Sequence, residues 1–286
     1  MPTACRLSQT LGITRPPTMS PTFSPVCKCI YCGREDQLTD EHVVPLALGG
    51  DLILPKSSCK TCNTITSKFE LNVLRGYMSE ARSVGNLPSR RKKNRPISVA
   101  TTVIRSDEST TQIDVPVAKA LAFLQMPIFE PVSFVYGPGP RIGARITAIE
   151  TLKFGPDFQA FLADHKAVGI SGKVRIDVNS FTKLLAKMAY SYYIGVNGLF
   201  PRAESPALAL LLGNVDSPSN WIGSTFLSIA RNNSTALHTL ATKSLSMPDG
   251  SSRELVLIQL FSASKSCTYE VVVRSKDWEA YLRLPQ

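Results

Sequence analysis

The sequence lacks any uninterrupted run of eighteen apolar residues, so it predicts no membrane-spanning helix. It has only three histidines and comparatively few acids: 32 Lys and Arg stand against 22 Asp and Glu, a formal net charge of +10. That balance suits a polyanionic partner, although many soluble proteins are equally basic without binding nucleic acid. With 286 residues, 43% of them hydrophobic, the chain is long enough for two packed domains.

The sequence has seven cysteines, which is an odd number. The residues ahead of the cysteine-rich segment do not resemble a secretory signal. Both observations disfavour a disulfide framework and favour a metal site in a reducing, cytoplasmic compartment. Two Cys-x-x-Cys pairs are present, formed by Cys29, Cys32, Cys59 and Cys62. Each pair places two thiolates on one side of a tight turn, and together they predict a tetrahedral zinc site. Cys27 is a possible substitute ligand, but four residues separate it from Cys32 and give a looser turn, so a spare thiol is the favoured interpretation.

The first 26 residues contain two arginines, no acid and many Ser, Thr and Pro. An acid-poor, Ser-rich start is typical of a transit peptide, and it also occurs in disordered tails. A start codon assigned too early is a further alternative, with Met19 as the other beginning. We expect a disordered tail over residues 1–26, and the compartment stays open if that segment is a transit peptide.

Composition divides the rest of the chain into a cysteine-rich domain at 27–84, a linker at 85–96 and a larger domain at 97–286. Residues 27–96 hold twelve Lys or Arg against seven Asp or Glu, so the basic density lies in the N-terminal third. The linker carries five basic residues: Arg90, Arg91, Lys92, Lys93 and Arg95. Such a run is either a solvated hinge or a contact for phosphates.

The larger domain has the pattern of a mixed α+β fold. Segments rich in Val, Ile and Thr predict strands at 97–106, 111–117, 141–154, 254–262 and 268–275. Apolar residues at helical spacing predict a helix at 180–195, capped by Asn179 or Ser180. Lys183 and Lys187 fall together on another face of that helix. They are a weak candidate for a nucleic-acid or partner contact, and a solvated face is the favoured interpretation.

Between the two cysteine pairs, Glu41 and His42 stand side by side ahead of an apolar run. We place them at the end of a strand, where neighbouring side chains point to opposite faces, so the two have different roles. Gly49-Gly50 then turns the chain. Beyond the second pair, Ser67 and Glu70 form a capping-box pattern that predicts a helix, with Asn63 at or just before its start.

Three separated elements, C-I-Y-C-G, E-H-V-V-P-L-A-L-G-G and C-K-T-C-N, resemble the HNH endonucleases, also called the ββα-metal or His-Me finger family. The resemblance is to the subgroup with four zinc-binding cysteines and a Glu-His-x-x-Pro core, and it covers residue 29 to about residue 78. It implies an α+β fold class: a small zinc-stapled ββα-metal nuclease domain followed by a larger mixed α+β domain.

By that resemblance His42 matches the general base, Glu41 the metal ligand before it, and Asn63 the central Asn that helps to hold the metal. The family's last His has no counterpart, because no His follows Asn63 until His165. Glu70 shares a helix face with Asn63 but lies about 10 Å along it, so water is the alternative ligand. Carboxylate and amide oxygens suit Mg²⁺ or Mn²⁺, and a His of near-neutral pKa suits activation of water.

Three functions remain open at this point. The first is a metal-dependent DNA endonuclease, by analogy with restriction or phage-defence effectors, whose residues 97–286 confer specificity, sense a small-molecule signal or form a homo-oligomer. The second is a non-catalytic zinc module that binds nucleic acid or a protein. The third is an RNA nuclease. The presence of Glu41, His42 and Asn63 favours a nuclease, and nothing in the sequence separates DNA from RNA.

Overall fold

The computed structural model describes residues 22–89, 95–229, 236–247 and 250–284, and it has the predicted mixture of helices and strands. The strands in these ranges are β1 Leu38–His42, β2 Ile53–Cys59, β3 Ser98–Ile104, β4 Thr110–Pro116, β5 Ala122–Phe129, β6 Ile146–Phe154, β7 Gly169–Ser171, β8 Ile222–Thr225, β9 His238–Ser246, β10 Ser252–Leu260 and β11 Thr268–Arg274. The helices are α1 Lys60–Arg75, α2 Ser79–Val84, α3 Ser133–Tyr136, α4 Phe158–Asp164, α5 Val178–Asn197, α6 Pro206–Leu212 and α7 Trp278–Tyr281.

The N-terminal part is a ββα unit, in which β1 and β2 form an antiparallel hairpin and α1 follows directly. The turn between the strands depends on two glycines. Gly49 has φ +87°, a left-handed conformation that favours glycine, and a Cβ added to Gly50 would lie 2.2 Å from the Val44 carbonyl oxygen. A bulge between Thr39 and Glu41 shifts the register just before the strand ends.

Helix α1 begins earlier than the capping-box pattern predicts. Cys59 is its N-cap, and the Cys59 sulfur accepts a hydrogen bond from the Cys62 backbone N–H at 3.5 Å. Ser67 therefore lies inside the helix, and its predicted role as a cap is wrong. Its hydroxyl instead donates to the Asn63 side-chain oxygen at 3.2 Å. The thiol cap places the helix start within the second cysteine pair.

Beyond the ββα unit, the described residues form three antiparallel sheets: a four-stranded one ordered β8-β11-β10-β9, a three-stranded one ordered β4-β3-β7, and the pair β5-β6. The strands predicted around β3, β4, β10 and β11 are confirmed, and the one predicted at 141–154 begins only at Ile146. Strand β9 was not predicted. It lies at a sheet edge and is rich in Ser and Thr, so no continuous apolar run marks it.

Helix α5 is the centre of the molecule. It packs against α1 on one side and against α6, β10 and β11 on others, and 13 of its 20 residues are buried. Its cap is Asp177, whose carboxylate accepts from the Ser180 backbone N–H at 3.0 Å, so the caps predicted at Asn179 and Ser180 are wrong. Asp is a preferred cap because its short carboxylate reaches the free N–H groups of the first turn.

One hydrophobic core joins the ββα unit to the C-terminal sheet through α5. It contains Leu48, Phe69 and Val73 from the ββα unit together with the inner faces of α5, β10 and β11. A smaller, separate core lies under β3, β4 and α4. The segments divided by composition at 84 and 97 therefore meet in shared packing.

Residues 22–26, which the sequence analysis assigned to the tail, run beside β2. The Phe23 N–H donates to the Ile53 carbonyl and the Val26 N–H to the Pro55 carbonyl, each at 3.0 Å. The Phe23 ring also packs on α5, edge-on to Tyr192. The remainder of the predicted tail, 1–21, and the linker residues Arg90, Arg91, Lys92 and Lys93 lie outside the described residues. Within the described ranges no helix is both long and apolar enough to cross a membrane.

Candidate active site and metal centre

The four predicted zinc ligands converge at the base of the hairpin. The sulfurs of Cys29, Cys32, Cys59 and Cys62 all lie within 4.8 Å of one another. The Cys32 and Cys59 sulfurs are 3.6 Å apart, and zinc–sulfur bonds of about 2.3 Å in a tetrahedron give sulfur–sulfur distances of about 3.8 Å. The four thiols therefore fit a structural zinc, which would fasten the first cysteine pair to the start of α1. Cys27 is not part of the cluster.

The thiols also need a cation if they are to be thiolates together. Burial raises the pKa of both Cys29 and Cys62. Burial alone would also raise the pKa of Cys59, but hydrogen bonds from the Cys62 N–H and from the neighbouring thiols outweigh it and lower that pKa to about 7. A bound zinc stabilises all four thiolates, because ligand binding and deprotonation of the thiols are coupled.

A cleft of about 770 Å³ lies at the end of β1, beyond the cysteine cluster. Glu41, His42 and Asn63 all line it, so the structure brings the three predicted site residues together. Glu41 and His42 take opposite faces of β1 as expected: Glu41 is 5% exposed, whereas His42 is half-buried. His42 is thus the more accessible of the two.

Glu41 is held by a lysine from the larger, C-terminal part of the chain. Lys187 on α5 places its ammonium 2.6 Å from one Glu41 carboxylate oxygen, and the Tyr31 hydroxyl donates to the other at 3.1 Å. The same ammonium is 3.0 Å from the Glu70 carboxylate and donates to the His42 carbonyl. Its side chain is only 1% exposed. The predicted metal ligand is therefore part of a buried ion cluster.

The two carboxylates determine the charge of Lys187. Burial by itself lowers the pKa of this lysine, but Glu41 and Glu70 outweigh burial and leave the pKa above its ordinary value. Burial raises the pKa of Glu41, and the Lys187 ammonium limits that rise. Lys187 is accordingly held as an ammonium.

The favoured interpretation of Lys187 as part of a solvated face is wrong. Lys183 is only partly buried, but Lys187 is one turn later on a helix whose neighbouring residues are buried nearly all round. The sequence holds a signal that was missed: a helix apolar on most faces is buried, and a buried lysine needs an acidic partner. The signal does not identify which acid that partner is.

A divalent cation does not fit Glu41 in this arrangement. One carboxylate oxygen is taken by the Lys187 ammonium and the other by Tyr31, and a metal ion bound there would stand next to the ammonium. Glu70 shares the same ammonium. Asn63 still presents its side-chain oxygen to the cleft, where Ser67 donates to it. Across the described ranges, the four cysteines are the one group of three or more Cys, His or carboxylate side chains placed to hold a metal.

Arginines that sequence reasoning had not singled out form one wall of the cleft. Arg75 and Arg82 line it together with Arg95, the last of the predicted basic run. Arg82 is fixed by donating to the Ala47 carbonyl at 2.7 Å and to the Leu74 carbonyl at 2.6 Å. Burial and the nearby charges of Arg95 and Arg75 lower its pKa. The arginines face a cleft whose lining also includes the acids Asp40, Glu41, Glu70 and Glu80.

Comparison with known proteins agrees with this geometry. Residues 29–73 match the HNH endonuclease family, and they include both cysteine pairs, the β1–β2 hairpin and most of α1. The resemblance found from the motifs is confirmed, and the chain has an N-terminal HNH domain within a mixed α+β fold. Nothing among curated proteins or solved structures matches the chain.

Proposed function

We propose that the protein is an endonuclease that hydrolyses DNA phosphodiester bonds in the cleft at the end of β1, with His42 as the general base. The observation that carries this proposal is the meeting of His42 and Asn63 in one arginine-walled cleft, inside the segment that matches a family of nucleases. DNA as substrate goes beyond the family match. It is supported by the net positive charge of the chain and by the basic residues of the N-terminal third.

Hydrolysis needs a deprotonated water to attack phosphorus, a means to offset charge on the phosphate, and a proton, here from solvent, for the leaving 3′ oxygen. His42 is the proposed acceptor of the proton from water. This role is supported by its position in the lining of the cleft, at the end of a strand whose backbone pairs with β2 and contacts Lys187. Arg75 is the proposed phosphate ligand, since a guanidinium offers paired N–H donors, whereas Arg95 donates to Asn86 and to the Leu87 carbonyl. The zinc serves only to fasten the fold. The family pattern predicts Mg²⁺ or Mn²⁺ as well, but Glu41 does not fit that ion here.

We further propose that residues 97–286 control where or when the nuclease acts, through specificity, sensing or oligomerisation, and that the protein works in the cytoplasm as a restriction or phage-defence effector. Control by residues 97–286 is supported by α5, which belongs to that region and contributes Lys187 to the ion cluster at the cleft. A module added only for solubility would have no need to enter the catalytic cleft. The defence role in the cytoplasm rests on analogy with the family.

A second function, a zinc module that binds nucleic acid without cutting it, is favoured by one observation. Glu41, the metal ligand of the family pattern, is engaged by Lys187. A fold that had lost its divalent ion would retain the arginine wall and the zinc, and would bind DNA through phosphate contacts alone.

One assay separates these functions. Purified full-length protein is incubated with supercoiled plasmid, single-stranded DNA and RNA, each with Mg²⁺, with Mn²⁺ and with EDTA. We expect plasmid cleavage that His42→Ala reduces by about 10²–10⁴, the usual effect of losing a general base. His165→Ala is the matched control, because His165 lies at the end of α4 away from the cleft and should cut normally.

The outcomes are distinct. Binding of plasmid without cleavage under any condition would favour the non-catalytic module. Cleavage of RNA alone would identify an RNA nuclease. Equal rates for wild type and His42→Ala would remove His42 from the mechanism.

A further inference from the structure

The ammonium of Lys187 joins two elements of the HNH domain to a helix that lies more than a hundred residues later. On β1 it contacts the Glu41 carboxylate at 2.6 Å and the His42 carbonyl, and on α1 it contacts the Glu70 carboxylate at 3.0 Å. A lysine ammonium has three N–H donors and no acceptor. Three acceptors surround it here, so its donors are all engaged within the protein.

We propose that Lys187 takes the place of a divalent cation at Glu41 and acts as a positioning residue for His42. The second half of this inference rests on the proposed nuclease function, whereas the first half does not. Because its three donors are engaged and its side chain is 1% exposed, Lys187 is not placed to bind a substrate phosphate. It acts through the backbone of β1.

The charges of the cluster explain why a cation is needed at this position. Glu41 and Glu70 converge on one point, and Glu41 is 5% exposed. Two carboxylates in a poorly solvated place repel each other strongly unless a positive charge lies between them. In a metal-binding HNH site the ion would supply that charge, and in this chain the ammonium does so.

The hydrogen bond from Lys187 to the His42 carbonyl connects the ion cluster to the cleft. Side chains alternate along a strand, so Glu41 and His42 leave β1 on opposite faces, Glu41 buried and His42 half-buried, and the lining of the cleft includes both. Lys187 contacts both the buried Glu41 carboxylate and the His42 carbonyl. These two contacts fix the orientation of the peptide that carries the imidazole. An error of about 1 Å in the placement of a reacting group can reduce the rate a hundredfold.

Helix α5 is held firmly enough for this role. One turn beyond Lys187, the Tyr190 hydroxyl donates to the Ile30 carbonyl at 2.9 Å, and Ile30 lies between two predicted zinc ligands. Tyr31, the next residue, donates to Glu41. The end of β1 is therefore clamped between the zinc knuckle and α5, which itself belongs to the core of the C-terminal sheet.

The test uses full-length, zinc-loaded protein and the variants Lys187→Met and Glu41→Gln. Lys183→Met is the matched control, because Lys183 lies one turn earlier on α5 and its ammonium lies near Gly213, at the end of α6. Three quantities are measured: Mn²⁺ affinity, hydrogen exchange of the β1 amides, and kcat and KM on plasmid. Mn²⁺ affinity and exchange do not depend on activity.

We expect Glu41→Gln to bind Mn²⁺ with the same affinity as the wild type, or neither of the two proteins to bind Mn²⁺. Loss of a true ligand would weaken binding tenfold or more, at least as much as loss of an outer-shell partner, and that result would overturn the first half of the proposal. We expect Lys187→Met to accelerate β1 exchange and to lower kcat by about tenfold or more with KM nearly unchanged. Unchanged exchange and unchanged kcat would overturn the second half.

Two further results keep the test decisive. If Lys187→Met does not fold, the double variant Glu41→Gln with Lys187→Met removes the unpaired buried charge, and the same exchange measurement is made on it. If wild type cuts no nucleic acid, the proposed nuclease function fails. The β1 exchange and the Mn²⁺ affinity then still decide whether Lys187 occupies the cation position and orders β1.

Discussion

The HNH domain contains two clusters of side chains, the four cysteines expected to bind zinc and the ion cluster of Lys187, and they differ in how far apart their members lie in the chain. The zinc cluster takes its four cysteines from residues 29–62. The lysine cluster takes Glu41 and Glu70 from the HNH domain and Lys187 from α5. The cysteine cluster forms from turns within residues 29–62. The lysine cluster forms only when α5 has packed against the HNH domain, so the position of the end of β1 depends on the C-terminal region.

The largest effect we predict is for the zinc cluster. Cys59→Ser removes a ligand and the N-cap of α1 at the same time. Structural zinc sites contribute about 10–16 kcal/mol of apparent binding free energy, so this variant should lose its zinc and unfold in the HNH domain. Elemental analysis measures the zinc content, and circular dichroism measures the unfolding. Cys27→Ser is the control, and it should keep about one zinc per chain. A zinc-free wild type that is fully folded would contradict the prediction.

The next effect concerns the lysine cluster. Lys187→Met leaves Glu41 buried without its counter-charge, and breaking a buried pair in this way typically costs about 3–5 kcal/mol. Urea unfolding followed by fluorescence gives the free energy. Lys183→Met should change it by less than about 0.5 kcal/mol, as is usual for a position away from buried pairs and packed cores. Equal stability of the two variants would mean that the cluster contributes nothing.

A smaller, pH-dependent effect is predicted where the HNH domain meets the C-terminal sheet. His238 donates from Nε2 to the Leu48 carbonyl at 2.8 Å, and its Nδ1 accepts from the Phe261 N–H at 3.2 Å, so the ring is neutral. Burial lowers its pKa. The unfolded chain therefore takes up the proton first, and stability should fall as pH drops through about 6.5, the ordinary pKa of histidine.

His238→Gln provides the comparison for that pH effect. It should flatten the loss of stability between neutral and mildly acid pH. Thermal unfolding at several pH values measures the slope. An identical acid-side slope in wild type and His238→Gln would contradict the assignment.

The smallest effect on the fold is predicted for the basic run Arg90, Arg91, Lys92, Lys93 and Arg95. Replacing it with Gly and Ser should leave the stability of the fold nearly unchanged. It should flatten the plot of log affinity for DNA against log salt concentration, by about 0.9 in slope for each phosphate that the protein no longer neutralises. Replacing the exposed Lys153 and Lys166 is the control. An unchanged salt slope would identify the run as a solvated linker.

The same contrast explains what could be predicted from the sequence. The zinc ligands, the end of β1 and the helix after the second cysteine pair were all predicted, because each depends on spacing over a few dozen residues. The start of α1 was placed too late, because a cysteine side chain caps it in place of Ser67. The role of Lys187 could not be found, because helical periodicity shows that a face is buried and does not show which acid it meets.

The cleft was predicted in part for the same reason. His42 and Asn63 lie 21 residues apart and were brought together by the family pattern. Arg75 and Arg82 lie on helices whose charges are typical of an ordinary surface, and only their packing against the hairpin turns them toward the cleft. The role of a residue that depends on contacts with distant parts of the chain cannot be recognised from the sequence around it.

Helix α5 completes the HNH domain through the contact between Lys187 and Glu41. A double-mutant cycle in the free energy of unfolding tests it directly, using Lys187→Met, Glu41→Gln and the double variant. We predict that the double variant is more stable than the sum of the single losses implies, with a coupling of about 2–3 kcal/mol. Losses that add to within about 0.5 kcal/mol would show that the two residues act independently, and would contradict the account.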